Sequence, residues 1–173
     1  MPRRVLVTGS EGYIGSVLMP ILAKEAYAVR GYDSGYYSDC ILSQTGLAYP
    51  CTNRDIRDAS LADFEGVDAI IHLAALSNDP LGDLAPGLTE EINYRATIRL
   101  GELARTAGVG RFIFVSSQSM YGLSDTGSEL DEDLSEKNPI TAYARTKWKA
   151  EVQLKKLMTD DFVVVCRRPS TVF

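Results

Sequence analysis

Three glycines spaced three apart, directly after a short apolar run, constrain this chain more than any other feature of it. The stretch Val5-Leu6-Val7-Thr8-Gly9-Ser10-Glu11-Gly12-Tyr13-Ile14-Gly15 reads as a buried strand that turns sharply and opens a helix. Gly9 suits the sharp turn. Gly12 lets backbone approach an anion with no Cβ in the way, and Gly15 lets the helix pack close to the strand. The unsatisfied N–H groups and positive dipole end of such a helix favour a pyrophosphate. Glu11, inside this loop, is expected to point to solvent, because a carboxylate facing the anion would be repelled.

A second strand is predicted over residues 28–33, and its last residue, Asp33, lies about 20 residues past the loop, where a ribose-binding acid belongs. A carboxylate there can accept bonds from the adenosine 2′- and 3′-hydroxyls and would repel a 2′-phosphate. Arg30 lies inside the strand and no arginine follows Asp33 directly, so the pattern selects NAD over NADP. The alternative reading of Asp33 is a solvated strand-end aspartate.

The 173 residues fit one domain with a core of useful size. A net charge of −5 and a pI near 4.9 argue against a nucleic-acid or anionic-membrane partner. No apolar run has spanning length, and Met1-Pro2-Arg3-Arg4 leads straight into a core strand rather than a signal-peptide hydrophobic region, so a cytoplasmic protein is expected. Cys40, Cys51 and Cys166 have neither metal spacing nor an even count; they read as free thiols, with no metal site.

Apolar runs alternate with helix-like segments, which predicts an α/β domain with a parallel, doubly wound sheet. Further strands are predicted at residues 47–50, 67–73, 111–115 and 162–166, with a surface loop over 34–45. A brief helix is predicted at 61–64 and long helices at 88–107 (stopped by Gly108) and 141–158. In such sheets ligands sit beyond the carboxyl ends of the strands. The glycine loop, Asp33, Asp55 and residues 74–77, 116–119 and 168–171 all fall there.

Tyr143 and Lys147 lie four apart at the start of a predicted helix and therefore share a face. Upstream, Ser116-Ser117-Gln118-Ser119-Met120-Tyr121-Gly122 puts hydroxyls at a strand's carboxyl end. Taken alone, Tyr143 could be a packing aromatic beside Trp148 and Lys147 a solvated charge.

In order along the chain, the glycine loop, Asp33, Asp55-Ile56, His72-Leu73-Ala74-Ala75, Asn93 with Thr97, Ser116 to Gly122 and Tyr143/Lys147 resemble the extended short-chain dehydrogenase/reductase family. The likeness is to its NAD-dependent nucleotide-sugar epimerase/dehydratase branch. It implies that residues 1–173 correspond to that family's NAD-binding Rossmann domain, with the smaller C-terminal substrate domain absent from the chain. A chain so shortened is expected to bind NAD and to turn over no nucleotide sugar unaided. By the same resemblance, Tyr143 is the acid/base, Lys147 its electrostatic partner and a cofactor-ribose ligand, and Ser117 (with Ser116 as runner-up) the anchor of the substrate hydroxyl. Gly9, Gly12, Tyr13, Ile14, Gly15, Asp33, Asp55, Ile56, Leu73, Ala74, Ala75 and Asn93 would contact or support the NAD. His72 is expected to be structural.

Dehydratases of this branch carry acids just after the active-site hydroxyl, whereas this chain has Gln118 and Ser119, which favours an epimerase-like reaction through a transient keto intermediate. A sugar dehydrogenase or reductase, a dehydratase, and a catalytically silent NAD-binding sensor are the alternatives. Arg168-Pro169-Ser170-Thr171 has threonine where the family usually has asparagine. The resemblance also implies a homodimer through the two long helices. Their apolar faces (Ile92, Ala96, Leu100, Leu103; Trp148, Val152, Leu157) could equally pack on the sheet.

Overall fold

The computed structural model describes residues 2–38, 49–77, 79–123, 129–170 and 172. Alternation of apolar residues builds strands β1 (Arg4–Thr8), β2 (Ala28–Asp33), β3 (Cys51–Asn53), β4 (Ala69–His72), β5 (Arg111–Val115) and β6 (Val163–Arg167). They form one sheet in the order β3-β2-β1-β4-β5-β6, and every pairing is parallel. Strand order reverses between β1 and β4. That reversal opens a crevice at their carboxyl ends, the usual ligand position in doubly wound sheets.

The two faces of the sheet carry different layers. Leu6, Ile70, Phe112, Phe114 and Val164 share a core with Ile92, Ala96, Leu100, Ala150 and Leu154. Those partners come from a π-helical turn (Glu91–Ala96), α4 (Thr97–Thr106) and α5 (Ala142–Lys155); a short α2 (Asp79–Leu84) and α3 (Pro86–Glu90) precede the π turn. Val5 and Val7 face the other way, onto Met19 of α1 (Tyr13–Lys24). On that side a groove of about 800 Å³ runs along Val5, Leu22, Ile71 and Ile113, at the amino ends of the strands and away from the crevice.

These contacts decide the helix faces that the sequence left open. Ile92, Ala96, Leu100 and Leu157 lie in the core and Leu103 packs against it, whereas Val152 stays 38% exposed. Gly101 allows α4 to meet α5 closely, since a Cβ there would lie 2.7 Å from Leu154 Cδ2.

Three segments differ from the sequence reading. The strand predicted at 47–50 is found at Cys51–Asn53. Pro50 has no N–H to donate, so it gives only its carbonyl, 2.8 Å from the Gly31 nitrogen, and the ladder starts after it. Leu47 and Ala48 lie outside the described residues, as do Cys40 and most of the predicted 34–45 loop. The helix predicted over 88–107 begins at Pro86 and is interrupted by the π turn, while Gly108, at φ 79°, ends it as expected. The brief helix at Leu61–Phe64 is 3-10, closed by reciprocal Ser60 and Asp63 bonds.

Leu154 is fully buried at the α4–α5 contact. Leu154→Ala is expected to cost about 2–5 kcal/mol, read as a lower urea midpoint with an unchanged slope.

Candidate active site at the carboxyl edge of the sheet

The glycine loop is built by close contacts between backbones. Gly9 has φ 71°, and a Cβ on it would lie 2.7 Å from the Ala74 nitrogen, so loop and β4 extension touch with no side chain between them. A Cβ on Gly15 would lie 2.2 Å from the Gly9 carbonyl oxygen. Gly15 therefore packs the start of α1 onto the loop itself, rather than onto the strand. A Cβ on Gly12 would meet only the Gly9 carbonyl, at 3.3 Å, and no side chain caps the helix that Gly12 opens. An uncapped first turn beside open space is what an anion needs. Tyr13 is 68% exposed in that turn and Ile14 is half-buried.

Asp33 closes the far side of the loop. Its carboxylate accepts from the Glu11 N–H at 3.0 Å and from the Gly35 N–H at 2.9 Å. Glu11 is half-buried and bound by its backbone. Asp55 is already engaged: it caps the short 3-10 helix Ile56–Asp58 and pairs with Arg57 at 2.8 Å, which holds its carboxyl below the usual range. Ile56 is buried in the core.

Two side-chain links stiffen the middle of the crevice. Thr8 Oγ1 lies 2.6 Å from His72 Nδ1, and His72 Nε2 lies 2.8 Å from Thr97 Oγ1. Burial, helped by the Lys147 charge, pushes the imidazole to about 3, so it stays neutral, with one ring nitrogen donating and the other accepting. His72 is thus a tie between β1, β4 and α4. Asn93, buried in the π turn, accepts from the Leu76 N–H at 2.8 Å and donates to the Leu76 carbonyl at 2.9 Å. It holds residues 73–77 from behind. Leu73 packs toward Val5 and Val7, while Ala74 packs into the opposite core, so the chain crosses the sheet edge here, with half-buried Ala75 between.

The hydroxyl, phenol and amine meet at the end of β5. Ser117 caps a 3-10 helix (Gln118–Tyr121), accepts from the Ser119 N–H at 3.2 Å, and lies 2.8 Å from the Ser119 hydroxyl. Ser119 as its orienting partner was not legible from the sequence. Ser116 Oγ is buried without a hydrogen-bond partner among the described residues. Thr141 caps α5, accepting from the Ala144 N–H at 3.1 Å, which puts Tyr143 in the first helical turn, at the positive dipole end. Lys147 is not solvated: it is 3% exposed, donates to the Val115 carbonyl at 2.7 Å, and places Nζ 4.8 Å from the Phe114 ring centroid and 5.8 Å from that of Tyr143. Burial brings its ammonium down to about 7.

A family model for the NAD dependent epimerase/dehydratase family matches residues 5–173. The chain belongs to that family. A UDP-glucose 4-epimerase from Mycolicibacterium smegmatis is 34% identical over 159 residues, 87% of this chain and 50% of that protein. A dTDP-D-glucose 4,6-dehydratase from Homo sapiens is 30% identical over 182 residues, 99% of this chain and 51% of that one. Among solved structures, MoeE5 in complex with UDP-glucose and NAD superposes with a TM-score of 0.81 at 29% identity, covering 95% of this chain and 53% of its own. UDP-N-acetylglucosamine 4-epimerase from Methanobrevibacter ruminantium M1 does so with a TM-score of 0.86 at 25% identity, covering 96% and 54%. The chain spans about half the length of these relatives. The doubly wound Rossmann sheet is therefore the family's fold, and the family is NAD-dependent.

The buried amine gives this family member a measurable pH signature. Its folded value near 7 lies below the unfolded 10.5, so between these limits the unfolded chain binds more protons and stability rises with pH. From pH 7 to 9 the ligand-free protein should gain about 2 kcal/mol relative to Lys147→Met, measured by urea unfolding of both at each pH.

Proposed function

We propose that this protein binds NAD and, with its Ser117, Tyr143 and Lys147, acts as an epimerase-like oxidoreductase on a nucleotide sugar through a transient keto intermediate. What carries the reading is the convergence at one sheet edge of an uncapped glycine-turn helix, a strand-end aspartate and a buried lysine beside a helix-start tyrosine. The donor set fits a dinucleotide. Residues 9–15 would take the pyrophosphate, Asp33 the adenosine ribose hydroxyls, and Tyr143 and Lys147 the second ribose. Asp55, Ile56 and residues 73–75 would line the adenine and the length of the cofactor, with Asn93 acting through Leu76. The nicotinamide, when bound, supplies an acceptor and donor of hydride.

The chain's own residues supply the rest. A free phenol, with a pKa near 10, is a poor base at neutral pH. Helix dipole, Lys147 ammonium and cofactor charge all favour phenolate at Tyr143. A phenolate in turn raises the proton affinity of Lys147, keeping that amine charged. Tyr143 removes the proton of a sugar hydroxyl and Ser117, oriented by Ser119, holds the same oxygen in line. Ser117 suits this task better than Ser116, whose hydroxyl is buried. Loss of the carbon's hydride to the bound nicotinamide together with that proton would leave a ketone; after the ketone rotates, return of the hydride to its opposite face and of the proton from Tyr143 to its oxygen would invert the carbon. Gln118 and Ser119 offer no carboxylic acid to expel water, which favours epimerisation over dehydration.

The working unit in this reading is a cytoplasmic homodimer formed on the outer faces of α4 and α5. A silent NAD-binding sensor is the second reading.

Where the wild type exchanges epimers or forms NADH on a panel of UDP- and dTDP-sugars, Tyr143→Phe should cut that rate by about 10²–10⁴-fold while losing no more than about tenfold in NAD⁺ affinity by calorimetry, the size of one ribose hydrogen bond, and a wild type that binds NAD⁺ without turnover selects the sensor. A folded wild-type protein giving no heat with NAD⁺ or NADH overturns the reading. Asp33→Asn should narrow the preference for NAD⁺ over NADP⁺ in the same calorimeter.

A further inference from the structure

Arg168 follows β6, its side chain is 9% exposed, and none of the chemistry above uses it. Its Nε and Nη2 donate to the two carboxylate oxygens of Glu151 on α5, a side chain with no exposure at all. Its Nη1 reaches outward, donating to Tyr121 Oη at 2.6 Å and to the Glu132 carbonyl at 2.7 Å. Lys155 adds a second cation to Glu151 at 3.1 Å. Paired cations hold the Glu151 carboxyl below its usual range despite its burial.

Residues 129–140 form a strap that returns to Thr141 and is pinned at several points. Asn138 presents its carbonyl to Gly122, where φ is 70° and a Cβ would lie 2.1 Å from that oxygen. Lys137 Nζ donates to the Glu132 carbonyl at 2.8 Å, and Arg145 to that of Ile140. Lys137 Nζ and the Arg168 guanidinium carbon each lie 5.6 Å from the Tyr121 ring centroid and 5.8 Å from that of Trp148. The strap thus packs on the turn that starts at Ser117, and its last residue lies three positions before Tyr143.

We propose that Arg168, oriented by Glu151, is a positioning residue that seats the 129–140 strap against the serine turn and the start of α5, making the strap the sugar-side wall of the site. The wall assignment rests on the nucleotide-sugar reading; the seating of the strap does not. A planar fork is required because one edge must grip Glu151 while the other spans to Tyr121 and the strap carbonyl. A lysine presents a single point charge and cannot do both.

The test compares wild type with Arg168→Lys and, in case that variant does not fold, with Glu151→Gln, which keeps the volume and one acceptor. A Glu-specific protease would probe exposed Glu129, Glu132 and Glu136 under native conditions, and emission would report on Trp148, the one tryptophan of the chain. Each variant should bind NAD⁺ within about twofold of wild type, cleave in the strap about tenfold faster, and show a shifted Trp148 spectrum. With a nucleotide sugar that the wild type turns over, KM should rise about tenfold while kcat stays within about threefold, a split that simple loss of stability does not produce, and a wild type that binds NAD⁺ but turns over none of the UDP- and dTDP-sugars overturns the wall assignment. Folded variants with wild-type strap cleavage and emission overturn the seating. A freed strap with unchanged KM overturns the wall assignment. Wild-type protein that binds no NAD⁺ defeats the functional reading instead, and cleavage and emission still decide the seating.

Discussion

The arrangement of the site depends on a lysine amine taken out of water and given a backbone carbonyl as its hydrogen-bond acceptor. Lys147 ties α5 to the end of β5 through the Val115 carbonyl and lies against the Phe114 ring. A buried cation with so little compensation costs several kcal/mol, which is why its proton is held weakly. The cost falls once an anion forms nearby. Among the described residues no carboxylate balances this amine, and the phenolate proposed for Tyr143 would supply the missing charge.

Four residues along the same helix, Glu151 is the contrasting case. It is buried more deeply than Lys147, yet Arg168 and Lys155 satisfy it. Two buried charges on one helix face therefore have opposite characters. One is neutralised and holds architecture; the other has no counter-charge among the described residues and lies at the carboxyl end of β5 beside Tyr143. Burial alone does not distinguish them. The partners do.

Much of this was legible in the sequence, for a definite reason. Glycine spacing, strand alternation and the position of Asp33 are local signals, and local signals decided the parallel sheet, the carboxyl-edge location of the polar clusters, and the end of α4 at Gly108. Contacts between distant segments were not legible. The role of Gly15 against the Gly9 carbonyl, the pairing of Ser119 with Ser117, and the grip of Asn93 on Leu76 all need three-dimensional proximity. The shift of β3 past Pro50 was visible in principle, because proline cannot donate to a ladder. The capture of Asp55 by Arg57 could be suspected from their i, i+2 spacing, but only a formed 3-10 turn brings them together. Arg168 stood out by motif alone, and its task emerged from four acceptors on three separate segments.

The π turn at Glu91–Ala96 has a consequence for how this fold tolerates insertion and deletion. Such a turn holds one residue more than an ordinary helix would over the same rise. Deleting a single residue there would leave a more regular helix whose flanking turns keep nearly the same length and phase, because the extra residue is absorbed locally, while the side chains inside the turn change direction. The Asn93 amide would then miss Leu76, and the segment beyond β4 would lose its backing. A shortening that improves local regularity would in this way loosen the crevice, so the irregular turn serves to aim one amide at the segment it supports.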